Sequence, residues 1–244
     1  MHVLIAGANS DLAVCLAETF AANEKPISLV LASRNIERLS ATAKDIAVRF
    51  DVPCTAVSFD ALDVDSHPDF YESLQPKPDW VMLCFGYLGD QRKAERDWEE
   101  ARAILETNYV GAVRFLEIVA ADLEMRRTGG IIAIGSVAGL RGRKSNYHYG
   151  AAKAALMVFL SGLRNRLHAS GVRVMTVLPG FLATKMTRNM DLPGVLTTRP
   201  EQAARHIHAA WKQGKDIVYV PWWWRWVLWL IRMIPEKRFK TMNL

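Results

Sequence analysis

Short apolar runs alternate with longer amphipathic stretches along most of the chain. The apolar runs predict strands, near residues 2–6, 27–32, 54–59, 79–84, 131–135, 172–178 and 217–220. The stretches between them predict helices, near residues 11–23, 35–50, 96–127, 148–170 and 200–213. Alternation of strands with helices is typical of a parallel sheet with helices on its faces. The pattern therefore predicts an α/β fold, one doubly wound domain around a central, mostly parallel seven-stranded sheet.

In such a sheet the handedness of the crossovers puts the ligand at the carboxyl ends of the strands. The first strand of this chain ends in a turn at Gly7, and an amphipathic helix begins near Asp11. Free N–H groups and the helix dipole at that point favour an anion, so we expect a dinucleotide phosphate there. The alternative is an ordinary turn that binds no ligand.

The glycine pattern of this turn is incomplete. Asp11 and Ala13 stand where a G-x-x-x-G-x-G pattern has its second and third glycines. Ala13 still permits close helix packing, but a carboxylate facing a pyrophosphate would repel it. We therefore expect Asp11 to cap the helix, with Asn9 and Ser10 beside the phosphate and Leu12 in the same cofactor-binding turn.

A hydroxyl, a phenol and an ammonium occur together between residues 131 and 155. Ser136 follows an apolar strand, while Tyr149 and Lys153, four residues apart, share a face of the next helix. A phenol needs its pKa lowered by about three units to exchange protons at neutral pH, which one ammonium at ~4 Å can supply. Ser136 would hold a substrate carbonyl oxygen against Tyr149. This set predicts hydride-transfer chemistry; the alternative is a Tyr and a Lys on a solvated helix face.

The end of the second strand bears on the choice of cofactor. An acidic residue there would bind the adenosine ribose and repel a 2′-phosphate, whereas an arginine accommodates that phosphate. This chain has Ser33 followed by Arg34. We therefore expect NADP(H), with NAD(H) as the other possibility. The alternative is that Arg34 stacks on adenine or faces water.

Together these motifs resemble the short-chain dehydrogenase/reductase family over roughly residues 1–220. The resemblance implies a Rossmann fold, an Asp60 side chain near the adenine, and an Asn108 that supports a proton relay to Lys153. It also implies that Pro179 and Gly180, with Thr184 after them, lie against the nicotinamide.

One stretch departs from the family pattern. Where the family usually has N-N-A-G after its fourth strand, this chain has Leu83, Cys84, Phe85 and Gly86. Gly86 is retained as a cofactor contact, but that wall of the cofactor pocket is altered.

The carboxyl end is rich in tryptophan and basic. Five of the eight tryptophans of the chain occupy one short segment, at positions 222, 223, 224, 226 and 229. Thirteen residues of helix reach only about 20 Å, short of a hydrocarbon core of about 30 Å. Indoles and cations suit the headgroup boundary, so residues 222–244 predict a membrane-surface segment beside a catalytic domain of residues 1–221. An oligomer contact or a substrate lid is the alternative.

Composition narrows the remaining classes. The formal net charge is +6, and the segment from Trp222 onward holds five Lys or Arg against one Glu. Because that charge lies beside an apolar tract, nucleic-acid binding is not expected. Cys15, Cys54 and Cys84 are expected to be buried thiols of a reducing compartment, and no metal site is predicted. Met1 leads straight into a strand, so we expect a cytoplasmic protein, peripheral at the inner face of the membrane.

A closer resemblance concerns the substrate. The stretches G-A-N-S-D-L and G-Y-L-G-D-Q and the basic apolar tail are similar to reductases of polyprenyl-phosphate-linked keto sugars, typified by decaprenylphosphoryl-2-keto-ribose reductase. Phe181–Asp191 is then expected to be a mobile substrate-side segment, whose Lys185 and Arg188 either meet a substrate phosphate or lie on a solvated loop.

Two other functions remain open. One is a reductase of another hydrophobic carbonyl, such as a fatty acyl or steroid-like compound. The other is a non-catalytic dinucleotide-binding sensor or scaffold. As is common in the family, a homodimer or homotetramer is expected, paired through the long helices near 96–127 and 148–170.

Overall fold

Parallel strands form one central sheet in the computed structural model, which describes residues 1–188 and 194–242 apart from the side chain at 195. Within those residues the sheet has seven strands in the order β3-β2-β1-β4-β5-β6-β9, and every neighbouring pair is parallel. The strands are β1 His2–Ala6, β2 Ser28–Ser33, β3 Cys54–Ser58, β4 Trp80–Leu83, β5 Gly130–Ile134, β6 Arg173–Pro179 and β9 Ile217–Val220. The predicted seven-stranded parallel sheet is confirmed.

A ladder of two-residue strands, not predicted, lies outside this sheet. It pairs β7, Phe181–Leu182, with β8, Thr197–Thr198. Segments this short carry no periodicity, so the apolar pattern gives no sign of them.

Consecutive residues of β1 pack into opposite faces of the sheet. Val3 and Ile5 belong to one apolar cluster, and Leu4 and Ala6 belong to the other. Side chains alternate across a strand, so an unbroken apolar run is needed when both faces are covered. The apolar runs therefore reflect a sheet buried between two helical layers.

The helices within the described residues cover both faces. They are α1 Asp11–Asn23, α2 Ile36–Phe50, α3 His67–Ser73, α4 Gln91–Ala94, α5 Trp98–Leu105, α6 Gly111–Arg126, α7 Tyr147–His168, α8 Pro200–Lys212, α9 Trp224–Met233 and α10 Glu236–Phe239. One apolar cluster joins the sheet to α1, α2 and α8, and the other joins it to α3, α6 and α7. Along the part of the chain that the structure describes, no helix is long and apolar enough to cross a membrane.

The predicted helix 96–127 is wrong in its middle. A π-helical turn, Glu106–Val110, separates α5 from α6. The amide of Asn108 in this turn donates to the carbonyl oxygens of Ile104 at 2.8 Å and Tyr87 at 2.6 Å. A side chain that competes for backbone carbonyls in this way opens the regular helical ladder. The short helices α3 and α4 were not predicted.

Candidate active site

The candidate site is a cleft at the carboxyl ends of the strands. The strand order reverses between β1 and β4, and the segments after β1, β4, β5 and β6 line the cleft. Open parallel sheets bind their ligands at such a reversal, because the flanking loops diverge there.

Gly7 holds the turn after β1 in a conformation that requires glycine. Its φ is +85°, and a Cβ there would lie 2.4 Å from the backbone nitrogen of Phe85. Positive φ and close approach of a second backbone both exclude larger residues. The turn after β1 and the segment after β4 are therefore in direct backbone contact.

Helix α1 is capped by Ser10, so the expectation that Asp11 caps it is wrong. The hydroxyl of Ser10 accepts from the N–H of Ala13 at 3.2 Å. The carboxylate of Asp11 instead accepts from the backbone N–H of Lys185 at 2.7 Å and pairs with the Lys185 ammonium at 3.4 Å. That pairing removes the repulsion expected between Asp11 and a phosphate. The first-turn N–H groups of Asp11 and Leu12 have no intrahelical acceptor, and both residues line the cleft.

Asn9 ties this turn to the end of β2. Its amide nitrogen donates to the hydroxyl of Ser33 at 2.9 Å and to the carbonyl oxygen of Asn35 at 3.0 Å. Its amide oxygen is buried and has no hydrogen-bond partner among the described residues. The turn thus keeps one unsatisfied acceptor beside the cleft.

A second cavity adjoins the first on the side of β2 and β3. Gly7, Arg34, Asp60 and Gly86, predicted cofactor contacts, all line it. Arg34 is exposed, and the carboxylate of Asp60 accepts from the N–H of Leu62 at 3.0 Å. The structure therefore brings together the residues expected near the adenosine half of a dinucleotide.

Ser136, Tyr149 and Lys153 meet in the first cavity. Ser136 is buried at the start of a 3-10 turn, Val137–Leu140, where its hydroxyl accepts from the N–H of Ala138 at 3.1 Å. Lys153 is 2% exposed, and its ammonium donates to the carbonyl oxygen of Ile134 at 3.0 Å. The Lys153 nitrogen lies 5.8 Å from the centroid of the Tyr149 ring.

The pKa values of Tyr149 and Lys153 differ from those expected from the sequence. Burial raises the pKa of Tyr149 to about 12, and the neighbouring Ser136 hydroxyl offsets this only in part. Burial also lowers the pKa of Lys153 to about 8. The predicted lowering of the Tyr149 pKa by Lys153 is therefore wrong for this structure, because burial sets the direction of the shift and the Lys153 ammonium donates to the carbonyl oxygen of Ile134. Tyr149 is a proton donor at neutral pH.

Asn108 and Gly86 complete this end of the cleft. The amide oxygen of Asn108 accepts from the N–H of Tyr87 at 3.2 Å, so Asn108 fixes the segment after β4. A Cβ on Gly86 would lie 2.9 Å from that oxygen and 3.4 Å from the Lys153 nitrogen.

Among residues 1–188 and 194–242, no three His, Cys, Asp or Glu side chains are grouped so as to hold a metal ion.

The segment after β6 faces the same cleft through Pro179, Gly180 and Thr184. Phe181–Arg188 lies within the described residues, and the rest of the predicted substrate-side segment, residues 189–191, lies outside them. Lys185 is held by Asp11, as described above.

The carboxyl-terminal helix α9 packs against this segment. A Cβ on Gly180 would lie 1.9 Å from the indole nitrogen of Trp224, and the Trp224 and Phe181 rings meet edge to face at 5.4 Å. Trp224 and Leu228 are buried against Val137 and Leu178. One face of α9 is therefore a wall behind the site.

The opposite face of the carboxyl-terminal segment is exposed and apolar. It carries Trp222, Trp226, Trp229, Leu230 and Met233, each more than half exposed. We call these five residues, of which Trp222 lies just before the helix, the outer face of α9. Exposed cations flank it, on Arg225 and Arg232 of the helix and on Lys237, Arg238 and Lys240 beyond it.

Sequence reasoning missed two polar residues of the cleft, Arg143 and Asn146. Both lie between Ser136 and Tyr149 in the chain. That position was the one available signal, and it does not distinguish a cleft side chain from a solvated loop.

Comparison with known proteins agrees with this geometry. The sequence profile described as short chain dehydrogenase matches residues 1–193. An uncharacterized oxidoreductase of Mycobacterium tuberculosis is 36% identical over 243 residues, covering 98% of this chain and 96% of that protein. A short-chain dehydrogenase from Sphingobium yanoikuyae, solved with NADPH, superposes with a TM-score of 0.83 at 23% identity, covering 97% of each chain.

A ketone-specific alcohol dehydrogenase from Comamonas testosteroni, described as bulky-bulky ketone specific, has a TM-score of 0.78 at 21% identity over 96% of this chain and 95% of that one. These two structures share the fold. The profile match over residues 1–193 and the mycobacterial relative show that the chain belongs to the short-chain dehydrogenase family, enzymes that transfer hydride between NAD(P) and an alcohol or a carbonyl compound.

Proposed function

We propose that this protein is an NADP(H)-dependent reductase of a lipid-linked keto sugar at a membrane surface. The observation that carries the proposal is one helix with two faces. The inner face of α9 backs the cleft that holds Tyr149, and its outer face is an exposed row of apolar side chains among cations. A reductase built in this way suits a carbonyl group attached to a lipid.

The cleft fits a dinucleotide. Gly7 leaves room for a backbone approach, and α1 offers the N–H groups of Asp11 and Leu12 to a phosphate. The buried amide oxygen of Asn9 lacks a partner, and as an acceptor it suits a hydroxyl of the cofactor. We propose that Gly7, Ser10, Asp11 and Leu12 hold the phosphates with Asn9 beside them, that Asp60 and Gly86 contact the adenosine side, and that Pro179, Gly180 and Thr184 contact the nicotinamide. When bound, the cofactor supplies a hydride to the carbonyl carbon of the substrate.

The choice of NADP(H) over NAD(H) is supported by Arg34. It is exposed at the end of β2 and lines the second cavity, with no ion pair to a carboxylate within the described part of the chain. A free guanidinium at this point suits a 2′-phosphate. The Sphingobium structure holds NADPH, which agrees with this choice.

The side chains of the site supply and position a proton. Tyr149 is protonated at neutral pH, with its pKa raised by burial to about 12, and it donates its proton to the carbonyl oxygen. Ser136 orients that oxygen, and the Lys153 ammonium favours the phenolate left behind. Asn108 holds the segment after β4 against Lys153. A raised phenol pKa favours reduction over oxidation, since oxidation would begin from the phenolate.

The substrate assignment rests on the outer face of α9 and on the resemblance of the sequence to polyprenyl-phosphate keto-sugar reductases. We treat residues 1–221 as the catalytic domain and 222–244 as a membrane-surface segment, and we place the protein peripherally on the cytoplasmic face. Pairing of subunits as a homodimer or homotetramer through α5, α6 and α7 is part of the same proposal.

A second candidate substrate is another hydrophobic carbonyl compound, such as a fatty acyl or steroid-like ketone. It is favoured by the apolar side chains of Leu88, Val137 and Phe181 in the cleft. Both candidates use the same proton donor and differ in what the cleft and tail recognise.

The decisive experiment is incubation of the protein with NADPH tritiated at the transferable position and a total membrane-lipid extract. Label is expected in a lipid that loses it on mild acid release of its sugar. Label in an acid-stable lipid would support the second candidate, and label confined to water-soluble metabolites would refute both. A Tyr149→Phe protein serves as the control for enzyme-dependent transfer.

A further inference from the structure

Two arginines in the segment between Ser136 and α7 have opposite surroundings. The guanidinium of Arg141 donates to the carbonyl oxygen of Ile234 at 2.8 Å and pairs with the carboxylate of Glu236 at 3.1 Å. It also lies over the ring of Phe239, 3.7 Å from the centroid. Arg141 therefore fastens the carboxyl-terminal segment to the domain.

Arg143, two residues further on, has no such partners. Its Nε and Nη2 atoms are buried and make no hydrogen bond within the described residues. Burial lowers its pKa, and no neighbouring carboxylate opposes that effect. Arg143 as a whole is partly exposed, so these two nitrogens have lost water without gaining an acceptor, which costs free energy. Costs of this kind cluster at ligand sites, where a bound group can supply the missing partner.

The other cations of the first cavity, which holds Ser136 and Tyr149, are already engaged. Lys153 donates to the carbonyl oxygen of Ile134, and Lys185 pairs with Asp11. Arg143 is therefore the cation of the first cavity that, among residues 1–188 and 194–242, lacks an acceptor. It lines the same cavity as Ser136 and Tyr149.

Asn146 is a second unsatisfied group in the same place. Its side chain lines the cleft, and its amide oxygen is buried with no partner among the residues described. It stands at the amino end of α7, a helix of 22 residues, without making a capping bond. The positive end of the α7 dipole thus adds to the charge of Arg143.

We infer that Arg143 and Asn146 form a subsite for a phosphate ester carried by the carbonyl substrate. Nε and Nη2 lie on one side of a guanidinium and together bind two oxygens of a phosphate. The unsatisfied amide oxygen of Asn146 is an acceptor, so it receives a hydrogen bond from a substrate hydroxyl next to the phosphate. This inference rests on the proposed reductase function and specifies the chemical class of its substrate. The keto group would then be held at Tyr149 by an anion anchored beside it.

The test measures binding to the protein saturated with NADPH. Geranyl phosphate and geraniol, which differ in the phosphate, are titrated calorimetrically into the wild type, Arg143→Gln and Lys144→Gln. Lys144 is the matched control, because it is an exposed cation next to Arg143 in the chain. We expect the wild type and Lys144→Gln to prefer geranyl phosphate by about 10- to 100-fold, and Arg143→Gln to lose that preference.

Thermal stability distinguishes the proposed subsite from a structural role for Arg143. If Arg143 serves the subsite, Arg143→Gln should leave the thermal midpoint of the ligand-free protein unchanged or raise it, with NADPH affinity unaltered. A lowered midpoint together with weaker NADPH binding would make Arg143 a structural residue and overturn the subsite. Geranyl phosphate binding equal to wild type in Arg143→Gln would overturn it as well.

Two further measurements are needed. The first distinguishes a substrate phosphate from a membrane headgroup, and the second tests the reductase function separately from the phosphate subsite. If Arg143→Gln weakens binding to phosphatidylglycerol vesicles but not to geranyl phosphate, the partner is a membrane headgroup and the inference is wrong. Reduction of a small neutral ketone by the wild type tests the reductase function independently. If the wild-type protein binds geranyl phosphate through Arg143 but reduces none of the ketones offered with NADPH, the reductase function is refuted and the subsite is still supported.

Discussion

The outer face of α9 makes a quantitative prediction for membrane binding. Trp226 and Trp229 are 55% and 56% exposed. A fully exposed indole side chain offers about 200 Å², so each of these presents roughly 110 Å², worth at most ~2.7 kcal/mol on burial. Allowing that an interfacial indole stays partly hydrated, about 2 kcal/mol each is expected. The double variant Trp226→Ala/Trp229→Ala should therefore partition onto vesicles about 1000-fold more weakly.

The assay is cosedimentation with phosphatidylcholine vesicles that contain phosphatidylglycerol, at fixed ionic strength. The thermal midpoint should change little, because both side chains are largely outside the core. The matched control is Trp98→Ala, since Trp98 is 65% exposed at the start of α5, away from the carboxyl-terminal segment.

Equal partition of the double variant and the wild type would refute the reasoning. So would an equal loss in Trp98→Ala, which would show that vesicles bind any exposed tryptophan. Raising the salt concentration should weaken wild-type binding further, because cations flank the outer face and salt screens their attraction to anionic lipid.

Four other changes test the site and its supports. Tyr149→Phe should lower kcat for ketone reduction by about 10²- to 10⁴-fold with little change in NADPH affinity; equal losses in both would indicate structural damage. Arg34→Ala should raise the NADPH Kd by about 10- to 100-fold and leave the NADH Kd nearly unchanged, so an unaltered ratio of the two would contradict the cofactor assignment. Because the pKa of Lys153 is lowered to about 8, its ammonium is present below that pH and lost above it, and kcat for reduction should fall as pH rises through that value; a rate that stays level well above it would argue against a role for that charge. Trp224→Ala should lower the free energy of unfolding by about 3–5 kcal/mol, measured by chemical denaturation, and a variant as stable as wild type would show that the inner face of α9 does not support the domain.

The strands of this fold could be predicted closely because each is a local apolar run. β1 occupies residues 2–6, as predicted, since both its faces are buried and every position must be apolar. Helix α7 likewise begins within one residue of the prediction. The positions of Ser136, Tyr149 and Lys153 followed from these elements.

The site features that were predicted wrongly, or not predicted, depend on residues far apart in the chain. Asp11 pairs with Lys185 across 174 positions, and no local pattern reveals that partner. Arg141 and Arg143 are the same residue type and stand two positions apart. Arg141 is bound by the carboxyl-terminal segment, whereas the buried nitrogens of Arg143 have no hydrogen-bond partner among the described residues. The Tyr149 pKa was misjudged for the same reason, because burial is set by packing and not by the spacing of Tyr149 and Lys153.

The π-helical turn at Glu106–Val110 limits how this chain can change length. A π turn holds one residue more than an α turn, and each residue of an α-helix advances the side chains by about 100°. Deleting one residue there would restore regular winding, but it would rotate everything on one side of the cut relative to the other. Either Asn108 would swing away from Tyr87, or the apolar stripe of α6 would leave the sheet. The π-helical turn therefore fixes the rotation of Asn108 relative to the apolar stripe of α6. Insertions or deletions in this turn should be tolerated less than amino-acid replacements nearby.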